Sequence, residues 1–195
     1  MIIKEFPDFL NQLLEEPISA FHNPFENARQ GQFERYIVIS FRTWWISKHP
    51  KMKVFCEMGP ERYDMVIEDV EGEKRYILEF KSSHGVGSTR NRQKHFFDKA
   101  EKDIDKLKST SKKDTRYVIS TWVEVTGQNP DRDVVDGVIS PKLKPCSKRI
   151  ADLKQELTKW KKNMHSHGLK NIEFGIHDFS EKKAMSILWS IMQVS

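Results

Sequence analysis

Two short runs of alternating residues, Tyr63 to Val70 and Arg75 to Lys81, limit what this chain can become more than any other feature. Each sets β-branched and aromatic residues against polar ones at period two, the pattern of a strand with two unlike faces. The link Asp69-Val70-Glu71-Gly72-Glu73-Lys74 is polar and carries a glycine where a turn wants positive φ. The two runs are therefore expected to pair as a hairpin. On the second run, period-two geometry puts Ile77, Glu79 and Lys81 on one face and Tyr76, Leu78 and Phe80 on the other. A carboxylate and an ammonium thus end a strand otherwise fit for a core. Charges in such a place are expensive unless they are paired or hold a ligand.

At 195 residues the chain has room for one domain with a proper core. No apolar run approaches bilayer-spanning length and no signal-peptide pattern opens the sequence, so no membrane partner is expected. Cys56 and Cys146 lie far apart without paired spacing, which fits a reduced, cytoplasmic protein and argues against a zinc ribbon or disulfide scaffold. The formal net charge of +5 is unevenly spread: Ser82 to Lys113 carries +5 and Lys142 to Lys170 carries +7, leaving −7 for the rest. Such asymmetry points to a polyanionic partner.

Taken in order, Ile2 to Glu16 reads as an amphipathic helix with Phe6, Phe9, Leu10, Leu13 and Leu14 on one side. Asn23-Pro24-Phe25-Glu26 is a helix start with a cap, a first-turn proline and a capping-box acid, opening a helix to about Ser47. Phe33, Ile37, Phe41, Trp44 and Trp45 give it a wide apolar stripe, which marks the tryptophans as core rather than a base-stacking platform. Lys53 to Met58 is a strand, followed by the hairpin and then a small-residue loop from Ser82 to Ser88. A helix capped by Ser88 or Thr89 shows Phe96, Phe97, Ala100, Ile104 and Leu107 at helical spacing, and Arg116 to Val125 is another strand. Further on, Ser147 to Gly168 reads as a helix with a basic outer face, Asn171 to His177 as a late strand, and Ser180 to Met192 as a last helix.

The arrangement Asp64-x14-Glu79-x-Lys81, set in a hairpin with a helix before and a helix after, resembles the PD-(D/E)XK nuclease superfamily. Pro60 stands four residues before Asp64 rather than beside it. The resemblance implies an α/β fold: a restriction-endonuclease-like αβββαβ core with a mixed central sheet flanked by helices. It covers residues 23–125 of a single domain, 1–195, with a C-terminal helix and strand elaboration over 126–195. It also implies a magnesium-dependent deoxyribonuclease, of restriction or repair type, in which manganese substitutes for magnesium. Asp64, Glu79 and the backbone carbonyl of Phe80 would be metal ligands, with Glu34 as a further acid from the preceding helix. Lys81 would orient the attacking water and stabilise developing charge.

DNA is then the expected partner. Arg90, Arg92, Gln93 and Lys94 open the helix after the hairpin, where side-chain charge and a helix N-terminus together favour phosphate. Many members of the superfamily are dimers, which leaves a homodimer open. Two readings compete with the enzyme. One is a catalytically silent, nuclease-like module that binds nucleic acid or a protein partner. The other makes Glu79 and Lys81 a simple ion pair on an edge strand.

Overall fold

A computed structural model of the chain describes residues 1–15, 33–58, 62–84, 100–125, 158, 159, 162, 169–178 and 185–195. The helices are α1 (Ile2–Glu15), α2 (Phe33–Lys48) and α3 (residues 100–108). The strands are β1 (Met52–Met58), β2 (Tyr63–Asp69), β3 (Arg75–His84), β4 (Thr115–Val125), β5 (Leu169–Asp178) and β6 (Met185–Val194). They form one mixed sheet in the order β1-β2-β3-β4-β6-β5. Its central pair, β3 and β4, is parallel, and every other neighbouring pair is antiparallel. A parallel pair needs a crossover, and α3 lies within it.

The expected hairpin is present, with Met65 opposite Leu78 and Val66 opposite Ile77. Gly72 N donates to the Asp69 carbonyl at 3.1 Å and Asp69 N to the Lys74 carbonyl at 3.1 Å. Gly72 has φ of 74°, a left-handed conformation open to glycine because it lacks a Cβ.

One face of the sheet is covered by α1 and α2. Phe6, Phe9, Leu10 and Leu13 from α1 meet Ile37, Phe41, Trp44 and Trp45 from α2 over Met65, Ile67, Leu78, Phe80, Ile119 and Trp189. The ring of Phe41 lies 6.0 Å from that of Phe80, and Phe6 lies 6.1 Å from Trp189, so aromatic contacts tie both helices to the sheet. Both tryptophans of α2 are core residues. Trp44 Nε1 also donates to Gln12 Oε1 at 2.8 Å, so a polar atom brought inside finds a partner. Each large side chain hidden here contributes roughly 1.5–3 kcal/mol.

The other face holds Val66, Ile77, Glu79, Val118, Ser120 and Met192, with Ala100, Ile104 and Leu107 of α3 also buried. Arg116 Nη1 donates to the Leu107 carbonyl at 3.1 Å and fixes the end of α3 to β4. The architecture is thus a mixed α/β sheet with helices on both sides.

Three expectations need correction. Ser82 to His84 is not loop: these residues extend β3 and pair with Thr121 to Val123 of β4. A parallel neighbour completes their ladder, which their own polar side chains do not announce. The stretch expected to be a last helix is instead strand from Met185, pairing along its length with β4. Ile187, Trp189 and Ile191 are buried on one face, and Ser190, Met192 and Val194 on the other. A run apolar on both sides fits either period, and the β-branched residues decide it for strand. Finally, the competing reading places Glu79 and Lys81 on an edge strand, whereas β3 is the third of six strands and loses its β2 neighbour only beyond Leu78. The expected late strand near Asn171 is present as β5. Residues 158, 159 and 162 are helical, within the stretch expected to be a basic helix.

Candidate active site

β2 and β3 remain paired only as far as Met65 and Leu78. Alternate N–H groups of a strand point to the same side, so those of Phe80 and Ser82 face the place that β2 has left. Two carboxylates take them. Asp64 Oδ2 accepts the Phe80 N–H at 2.7 Å, and Glu34 Oε2 accepts the Ser82 N–H at 2.8 Å. Asp64 comes from the start of β2 and Glu34 from the first turn of α2, and both stand in for the missing strand carbonyls.

Glu79 and Lys81 follow the face expected of them but do not pair with each other. Glu79 is only 2% exposed, and its Oε1 lies 2.6 Å from Lys106 Nζ of α3. Lys106 also donates to the Arg62 carbonyl at 3.0 Å, and its ammonium lies 4.9 Å from the centroid of the Tyr63 ring. Lys81 Nζ lies 3.1 Å from Asp103 Oδ2, again on α3, and donates to the Phe80 carbonyl at 3.0 Å. Phe80 thus buries its ring in the core while its backbone serves the charged cluster from both ends.

Four carboxylates therefore surround two ammonium groups, a formal excess of two negative charges. The titration behaviour follows from burial first and from that imbalance second. Burial, reinforced by the Asp64 carboxylate, pushes Glu79 up to about 8 against the opposing pull of Lys106. Burial also raises Glu34, with Lys81 and the Ser82 N–H working the other way. Asp103 is raised by burial too, and Lys81 opposes the rise. For Lys81, burial works against the charge, but Glu34, Asp103 and Asp64 outweigh it, and its pKa stands above the ordinary lysine value. Lys81 is consequently a firmly held ammonium.

Asp64, Glu79, Lys81 and Glu34, all singled out from the sequence, are brought together by this structure. Asp103 and Lys106 were not foreseen. Their only sequence signal is a three-residue spacing that puts both beside the Ala100, Ile104 and Leu107 stripe. Arg90, Arg92, Gln93 and Lys94 lie outside the described residues, as do Glu26 and Cys146.

Among the described residues, no three His, Cys, Asp or Glu side chains are arranged to hold a metal ion as they stand. The chemistry of the donors still suits a hard divalent cation. Asp64, Glu79, Glu34 and the Phe80 carbonyl all offer oxygen. Each of these donors is already engaged, by a backbone N–H or a lysine.

The class defined by the fold is thus a mixed α/β protein whose sheet opens beside a charged cluster. The chain matches no protein-family model, no curated protein and no solved structure. No helix among the described residues is long and apolar enough to cross a membrane.

Proposed function

We propose that the chain is a metal-dependent DNA endonuclease of restriction or repair type, built on a restriction-endonuclease-like core. The observation that carries this reading is the parting of β2 and β3. It leaves the Phe80 N–H to Asp64 and the Phe80 carbonyl to Lys81, at a sheet end where Glu79 adjoins Phe80 on β3 and Lys81 stays charged. Asp64, Glu79 and the Phe80 carbonyl, with Glu34 beside them, would hold the ion. A bound Mg²⁺ or Mn²⁺ would supply charge neutralisation at the scissile phosphate and an activated water. Lys81 supplies positive charge to the phosphate oxygens as negative charge develops on them. It does not act as a base in the resting protein, because the surrounding acids keep its proton on. Arg90, Arg92, Gln93 and Lys94 are proposed to contact the DNA backbone, and a homodimer would supply the two sites that double-strand cutting requires.

One observation favours a second reading, a nuclease-like module that binds nucleic acid or a protein partner without cutting. Every acid of the cluster already has an internal partner. A single experiment separates the two. Supercoiled, linear and branched DNA are incubated with the protein in Mg²⁺, Mn²⁺, Ca²⁺ or chelator, alongside Asp64→Asn, Glu79→Gln and Lys81→Ala. Cutting that needs Mg²⁺ or Mn²⁺ and vanishes in all three variants supports the enzyme. Retention of DNA without cutting in any metal supports the silent module. Neither cutting nor retention overturns both.

A further inference from the structure

We infer that Lys106 is the resident counter-cation of the candidate metal site, and that a divalent ion must displace it from Glu79 in order to bind. This rests on the metal-dependent reading above and says how that site is regulated. The geometry is restrictive. Lys106 Nζ lies 2.6 Å from Glu79 Oε1, within the shell that a cation bound to the same oxygen would need. Magnesium–oxygen distances of about 2.1 Å bring the ion as close as the ammonium or closer, and the two positive charges repel. Lys81 is already committed to Asp103 and the Phe80 carbonyl, so Lys106 is the cation in contact with Glu79 among the described residues.

Lys106 is also equipped to let go. The Arg62 carbonyl, 3.0 Å away, and the Tyr63 ring, 4.9 Å to its centroid, continue to hold the ammonium once the carboxylate turns aside. Arg62 adopts φ of 51°, an unfavourable left-handed conformation for arginine, at the residue whose carbonyl accepts the lysine. Release therefore needs a side-chain shift of Glu79 and Lys106, and α3 can stay where it is. Without Lys106, Glu79 would be a nearly inaccessible carboxylate beside Asp64 with no cation in contact. Lys106 keeps the metal-free site assembled at the expense of metal affinity.

The test is direct Mn²⁺ binding, followed by calorimetry and by the loss of the free Mn²⁺ resonance, on the full chain and its variants. Lys106→Gln removes the competitor and is expected to bind Mn²⁺ about tenfold more tightly, within the usual range of coupling between two mutually exclusive ligands. Lys106→Arg grips a carboxylate more firmly through its planar fork and is expected to bind Mn²⁺ more weakly than wild type. The Arg variant keeps the charge that the fold uses, so it also tests the inference if the Gln variant fails to fold. Wild-type binding that is unchanged or weakened in Lys106→Gln, or tightened in Lys106→Arg, overturns the counter-cation role and leaves the metal site standing. Binding that appears in Lys106→Gln alone supports both. Absence of Mn²⁺ binding in wild type and both variants overturns the metal site and the inference together.

Discussion

Replacing Glu79 by Gln in the metal-free protein tests the central electrostatic claim, that this carboxyl resists ionisation in the fold. Its folded-state pKa of about 8 stands above the 4.5 of an ordinary glutamate. Between those values the folded protein holds a proton that the unfolded chain has lost, so stability must fall as pH rises through the window. The contribution is fully present below about pH 4.5 and gone above about pH 8. At ~1.4 kcal/mol per pH unit the whole gap corresponds to about 5 kcal/mol, which is a ceiling. Glu79 shares its repulsion with Asp64 and is eased by Lys106, so a loss of roughly 2–3 kcal/mol is expected. Glu34 and Asp103 are raised as well and act in the same direction.

Glutamine has the shape of the protonated acid and cannot ionise. At about pH 5 the Glu79→Gln protein should match wild type, since Lys106 retains the Arg62 carbonyl and the Tyr63 ring. At about pH 8 it should be more stable than wild type by roughly 2–3 kcal/mol, its own profile lacking most of the slope. Urea unfolding in the presence of chelator, read by tryptophan fluorescence across that range, supplies the curves. Wild-type stability that rises over the window, or a Gln variant that tracks wild type throughout, refutes the reasoning. A Gln variant much less stable even at low pH would make Glu79 a structural partner of Lys106 before anything else.

Two further outcomes follow from the fold and the charge pattern. Phe41→Ala removes a fully buried ring that touches Phe6, Phe9, Trp44, Trp45 and Phe80, and should lower unfolding free energy by about 3–5 kcal/mol in denaturant titrations. Joint replacement of Arg90, Arg92 and Lys94 by Ala should weaken DNA binding and flatten the log–log salt slope by about one unit for each phosphate these side chains neutralise; an unchanged slope returns them to a solvated face.

Much of this fold could be read from the chain because its local signals agree with its tertiary ones. The hairpin is fixed by two period-two runs and by a glycine that does adopt positive φ. The stripes of α1 and α2 could face nothing but a core, and they do. Reading failed where one pattern serves two structures. Met185 to Val194 is apolar on both faces, and such a run satisfies helical and strand periods alike until its neighbours are known. Ser82 to His84 failed for the opposite reason. Nothing in their polar side chains asks for a strand, and the demand comes from β4 alongside.

The site divides along the same line. Asp64, Glu79 and Lys81 were legible because strand alternation and a hairpin place them on one face with no help from the rest of the chain. Which charge meets which is a different matter. Sequence spacing makes Glu79 and Lys81 natural partners, two residues apart on one strand face. Yet in a strand such neighbours stand side by side along the chain at about 6–7 Å, too far for a contact ion pair unless both side chains bend toward each other. An overlying helix reaches each of them more directly, and α3 supplies the opposite charge for both: Lys106 to Glu79 and Asp103 to Lys81. On a helix, Asp103 and Lys106 look like any exposed pair flanking an apolar stripe. They become part of the site only because the parallel crossover lays α3 against the sheet end where β2 and β3 have parted. The electrostatics of this cluster is therefore set by topology: β2, β3 and α2 provide Asp64, Glu79 and Glu34, and the crossover adds both a further acid, Asp103, and the lysine that partly neutralises Glu79.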